Sequence, residues 1–131
     1  MLLACRWKDV GQDLPADLVR KALSISGLYD LEPIRKTPFV QGDLKLTPEQ
    51  VKRASPALWA TPKGRTLYTV VGGDESPEFL RHNELIRRVW SQRVVPVCEA
   101  LPGLNHFSVV TALTEPGHRL NALARQLISL A

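Results

Sequence analysis

One stretch of this chain narrows its possible folds more than any other: residues 66–90 spell a strand, a glycine turn and a helix in immediate succession. Thr66–Val71 (TLYTVV) is dense in β-branched and aromatic residues and stops at Gly72 and Gly73. Ser76 then occupies an N-cap position, with Pro77 first and Glu78 second in the helix. Phe79, Ile86, Val89 and Trp90 follow on one helical face. A strand running straight into an amphipathic helix is half of a parallel β–α–β unit, so partner strands are expected on both sides of it. Val19–Ser26 (VRKALSIS), closed by Gly27, reads as the strand before. Val94–Ala100 reads as the strand after, and its Pro96, which cannot donate a ladder hydrogen bond, assigns that strand to an edge. The fold class is α/β.

The rest of the chain fits around that unit. Residues 1–8 read as the end of a helix, with Met1, Leu2, Leu3 and Ala4 favouring helix and no capping residue ahead of them. Residues 30–62 contain five prolines and read as an excursion over the top of the sheet. Within it, Pro48–Ala54 is predicted as a helix capped by Thr47. Gly117–Leu130 is predicted as the last helix, with Leu120, Leu123, Leu127 and Leu130 packing inward. At 131 residues, with no repeat or low-complexity tract, a single domain spanning 1–131 is expected, its residues 66–131 forming a strand-helix-strand-helix unit.

Composition removes several functions. Apolar runs are far shorter than the roughly 18 residues a membrane span needs, and the opening residues lack the apolar core of a signal peptide, so the cytoplasm is the default. The net charge of +4 is spread over isolated basic pairs with no interleaved aromatic platform, so no nucleic-acid partner is expected. Cys5 and Cys98 lie 93 residues apart without metal-type spacing and read as buried free thiols. His82 and His118 read as surface residues, and no metal site is expected. Gly72-Gly73 is a poor phosphate cradle, because two carboxylates follow it and no P-loop lysine does.

In an open parallel sheet, ligands gather where the carboxyl ends of the strands release their loops. Here those loops begin at Ser26, at Gly72 and near Gly103. Glu75 and His106 stand 31 residues apart, one strand-plus-helix repeat, which puts them on neighbouring strand ends about 5 Å apart. A carboxylate that fixes an imidazole's tautomer leaves the other ring nitrogen free to act on a nucleophile, as acyl transfer requires. Asp74 is the alternative acid. Gly-x-Ser-x-Gly occurs nowhere, so no nucleophile is identifiable, and His106 also admits the plain reading of a loop histidine near solvent.

Four segments in this order carry a resemblance: SGLYDLEPI (Ser26–Ile34), SPALW (Ser55–Trp59), VVGGDESPEFLRHNEL (Val70–Leu85) and LNHFSVV (Leu104–Val110). Together they resemble the C-terminal half of α/β-hydrolases of the kynurenine formamidase (arylformamidase) and esterase/lipase group. The resemblance implies the last three strands of a larger sheet, here incomplete, with flanking helices. It implies His106 as catalytic base and Glu75, ahead of Asp74, as acid. Tyr29 and Trp59 would line the pocket for a small-molecule acyl substrate, and no metal or organic cofactor would be needed. The family's G-H-S-A-G-G elbow and HGGxW oxyanion motif have no counterpart in this sequence. The expectation is therefore a truncated, inactive form of a hydrolase. The competing expectation is a non-catalytic module that binds a partner or itself, as a homo-oligomer, through an open sheet edge.

Overall fold

The structure is a computed structural model that describes residues 1–129; Leu130, the last leucine of the predicted stripe, lies outside them. Strands β1 (Lys21–Ile25), β2 (Thr66–Gly72) and β3 (Val97–Leu101) form one parallel sheet in the order β1-β2-β3. Ile25 pairs with Val70, and Val70 with Glu99, so all three strands end at a common edge. Helices α1 (Trp7–Val10), α2 (Glu32–Arg35), α3 (Pro38–Leu44), α4 (Pro48–Ala54), α5 (Pro77–Val94), α6 (Ser108–Thr111) and α7 (Arg119–Ser129) complete the described chain, with short 3-10 turns between some of them. The sheet is incomplete and the class is α/β.

Central β2 is buried on both faces, which is why its sequence is a near-continuous apolar run. Leu67 faces α5, where Ile86, Trp90, Val94 and Val95 pack with Leu3 and Tyr29. Tyr68 and Val70 face α7, where Leu120, Leu123 and Leu127 pack with Val109 and Ala112. Each fully buried aliphatic side chain contributes roughly 1.5–3 kcal/mol, so these two layers fix the direction of the strand ends. Helix α4 is closed by a capping box: Thr47 Oγ1 accepts from Gln50 N at 3.2 Å, and Gln50 Oε1 accepts from Thr47 N at 2.8 Å.

Several expectations need correction. Residues 1–8 are not the end of one helix: a 3-10 turn at Leu2–Ala4 gives way to extended Cys5, and α1 starts at Trp7. The third strand begins at Val97, not Val94. Helix α5 runs through Val94, with a backbone break at Ser91 (φ 68°, ψ 159°), and buries Val94 and Val95 at its end. The apolar signal there came from helix packing. Val89 is 37 % exposed, because the buried line of α5 follows Ile86, Trp90 and Val94 at four-residue steps. Ser76 takes the N-cap position without a side-chain capping bond. Cys5 and Cys98 are free, but each is only half-buried. His82, expected at the surface, is fully buried. Among the described residues no helix is long and apolar enough to cross a membrane.

Candidate active site

The site is built where the loops after β2 and β3 touch. Gly72 makes that contact possible: a Cβ there would stand 2.3 Å from the carbonyl oxygen of Leu104, so no other residue fits without moving backbone. Gly73 N donates to Leu101 O at 2.7 Å, and Asp74 N to Leu104 O at 3.0 Å, stitching the loops together. In the second loop, Asn105 Oδ1 accepts from Phe107 N at 2.9 Å and from Ser108 N at 3.0 Å, which fixes the backbone around His106.

Glu75 turns back under this seam and is 8 % exposed. Its Oε1 accepts from Gly72 N at 2.8 Å and from Ser26 Oγ at 2.5 Å. Its Oε2 lies 2.7 Å from His106 Nδ1. Burial pushes the Glu75 carboxyl up, but donation by Ser26, the Gly72 amide and His106 outweighs it and holds the group below the usual carboxylate value. An ionised Glu75 accepts a hydrogen bond from Nδ1–H, which fixes the tautomer and leaves Nε2 with its lone pair. The imidazole side chain is 48 % exposed and rests against Phe79, ring centroids 4.6 Å apart, with Phe107 edge-on at 5.7 Å. Among the described residues no hydrogen bond reaches Nε2, and no group of side chains could hold a metal ion.

The structure thus brings together Glu75 and His106. Asp74 is exposed and joins the seam through its backbone amide, not its carboxylate. Tyr29 is buried, its hydroxyl bonded to Ser24 Oγ at 2.7 Å and Thr69 Oγ1 at 2.9 Å, and burial raises the phenol's pKa. It lines a groove along β1 with Met1, Leu23 and Trp90, while half-buried Trp59 borders a depression beside Met1 and Cys5. Neither hollow includes His106 or Glu75.

Sequence reasoning missed three participants. Ser26 was visible only as a serine without an elbow, yet its place at the end of β1 puts it beside the acid. Phe79 reads in the sequence only as one residue of an apolar helical face, yet its ring packs against that of His106. His82, four residues before Ile86, extends the buried line of α5; its Nδ1 accepts from Tyr29 N at 3.0 Å, tying the start of the 30–62 excursion to the helix. Its Nε2 lies 3.2 Å from Glu78 Oε1 in a geometry too poor for a hydrogen bond. Burial pushes its pKa below the ordinary histidine value.

A parallel α/β sheet with a buried acid and a half-exposed histidine on successive strand-end loops is the architecture of a partial α/β-hydrolase. Two curated relatives agree with that class. The chain is 28 % identical over 116 residues to a kynurenine formamidase of Danio rerio, covering 84 % of this chain and 39 % of that protein. It is 26 % identical over 135 aligned positions to a kynurenine formamidase of Salmo salar, covering 98 % of this chain and 45 % of that one. The chain therefore spans less than half the length of these relatives. No protein-family model matches it. Among solved structures it is similar to a Silicibacter sp. TM1040 protein provisionally assigned as a thioesterase, at 25 % identity and a TM-score of 0.67, over 79 % of this chain and 37 % of that one. Sequence and fold together support a partial α/β-hydrolase of the kynurenine formamidase and esterase kind.

Proposed function

We propose that this chain carries the acid and the base of a serine hydrolase acting on aryl-formamides or carboxylic esters. The observation that supports this reading is the 2.7 Å contact of Glu75 Oε2 with His106 Nδ1, with Nε2 left unbonded. In such a reaction Nε2 takes the proton of a serine hydroxyl as its oxygen bonds to the acyl carbon. The resulting imidazolium stands against the ionised Glu75 and returns that proton to the departing amine or alkoxide. Water then repeats the sequence on the acyl-serine, releasing the acid and regenerating the serine. No elbow serine or oxyanion motif stands in these 131 residues, so on this reading the isolated chain is expected not to turn over.

The test joins the isolated chain to its reading frame upstream of the Met1 codon. The isolated chain is expected to show no hydrolysis of p-nitrophenyl acetate or N-formylkynurenine above buffer. A longer chain carrying an elbow serine is expected to hydrolyse one of them and to lose about 10³-fold or more in kcat with His106→Ala. A longer chain whose turnover is indifferent to His106→Ala and Glu75→Gln would remove the reading.

A second reading, a module that associates through its sheet edge, is favoured by β1, which among the described residues pairs on one side only, with β2. It does not compete for the Glu75 site.

A further inference from the structure

We infer that Ser26 is a positioning residue for the acid: from a left-handed turn at the end of β1 its hydroxyl clamps Oε1 of Glu75, so that Oε2 is held on His106 Nδ1. This rests on the hydrolase reading, in which the histidine's tautomer decides whether Nε2 can act as a base.

Three observations converge on Ser26. First, its backbone sits at φ 50°, a left-handed region unfavourable for a non-glycine residue, although Gly27 follows immediately. Glycine is required at 27 for a different reason, since a Cβ there would lie 2.4 Å from Ser24 Oγ and 2.5 Å from the Tyr29 hydroxyl. The left-handed turn therefore falls on the residue whose side chain reaches the carboxylate, and Ser26 N, donating to Val70 O at 2.8 Å, anchors it to the sheet. A strained backbone at the end of a central site is where a functional constraint is expected to show.

Second, the carboxylate's donors are divided between its oxygens. Oε1 takes Ser26 Oγ and Gly72 N, while Oε2 meets His106. The terminal torsion of a glutamate is broad and nearly two-fold, so one remaining donor on Oε1 would leave the group free to turn away from the imidazole. Two donors from different strands lock it. Third, Ser26 lies 49 residues from Glu75 and reaches it from the other neighbouring strand, so all three strand ends contribute to one hydrogen-bonded chain: β1 through Ser26, β2 through Gly72 and Glu75, β3 through His106. Among the described residues no ionisable side chain other than His106 is bonded to Glu75, and Asp74 joins the seam through its backbone amide.

The experiment is ring-nitrogen NMR of His106 and side-chain carbon NMR of Glu75 in the full 131-residue chain, comparing wild type, Ser26→Ala, Ser26→Gly and Glu75→Gln. Glycine accepts φ 50° without strain, so Ser26→Gly keeps the turn and the fold while deleting the hydroxyl. With the clamp in place, neutral His106 in the wild type is protonated at Nδ1. In both Ser26 variants the ratio of Nδ1–H to Nε2–H forms is expected to fall about tenfold, and the Glu75 titration to move to higher pH. A merely structural serine predicts otherwise: Ser26→Gly would leave the His106 ring signals unchanged, and that result overturns the proposal. Glu75→Gln separates the two levels. If it shifts the His106 ring and the Ser26 variants do not, only the clamp fails; if it leaves the ring unmoved, the Glu75–His106 pair and the hydrolase reading fail together.

Discussion

At the scale of single residues, the two histidines near the sheet edge illustrate opposite uses of one side chain. His106 meets solvent with one nitrogen and a buried carboxylate with the other, whereas His82 is enclosed and serves the backbone. Protonating His82 at Nδ1 would break its bond from Tyr29 N and place a charge in the interior. Its folded pKa lies below the ordinary 6.5. Below pH 6.5 the unfolded chain therefore binds more protons than the folded one, so stability is complete above that value and declines as pH falls toward the folded pKa. The Glu75 carboxyl does not confuse this window, because its lowered pKa confines the loss of its contribution to the carboxylate range and below. Urea melts at pH 7.5 and 5.5 should show the wild type weaker at the lower pH and His82→Ala nearly indifferent, its baseline lower by about 2–4 kcal/mol from the cavity and the stranded amide. Full pH dependence retained in His82→Ala would assign the effect elsewhere. The pairing of Glu75 with His106 was legible because β–α–β repeats put like positions side by side. The role of His82 was not, since Arg81 and Asn83 flank it and hydropathy gives a mid-helix histidine no sign; only its four-residue step to Ile86 marked it.

At the scale of elements, legibility followed burial. Strand β2, covered on both faces, and α7, with its leucine line, stand plainly in the sequence. The end of α5 and the start of β3 did not, because Val94 and Val95 are as apolar as strand residues and the break at Ser91 is encoded by no glycine or proline. Ser91 is exposed and sits in a region of backbone space that only glycine occupies at ease. Ser91→Gly is expected to relieve roughly 1–3 kcal/mol of strain against 0.5–1 kcal/mol of added chain entropy, a net gain of about 1 kcal/mol. Chemical denaturation measures it, and a variant no more stable than the parent would show that the break carries no strain. The seam between the β2 and β3 loops makes the contrary case. Gly72→Ala must push Leu104 aside and is expected to cost about 2–4 kcal/mol, with loss of the Glu75-dependent signal on the His106 ring. A fully stable alanine variant would mean that the loops do not need their close approach.

For the whole molecule, the decisive asymmetry lies across the sheet. Every residue of β2 after Thr66 is buried, whereas all five residues of β1 are only half-buried. The hydrogen bonds from Thr66 N to Arg20 O and from Ser26 N to Val70 O place even-numbered β1 residues against β2. The peptide groups of Lys21, Leu23 and Ile25 therefore face the unpaired side. Beside that row runs a groove of about 270 Å³ lined by Met1, Leu2, Val19 and Leu23, with Met1 and Leu2 largely exposed. An edge of unpaired donors and acceptors next to apolar surface is a template for another strand. The resemblance in the sequence foretold this edge only because it aligned the chain with less than half of longer relatives; the three strands in isolation carry no mark of which side is open. The purified chain is expected to grow beyond its 14.6 kDa monomer mass as concentration rises in light-scattering chromatography. Lys21→Pro removes one outward donor at the first residue of the strand, where proline is tolerated, and should move the equilibrium toward monomer. A chain that stays monomeric at every concentration, or associates equally with Pro at 21, would place its association surface, if it has one, away from β1.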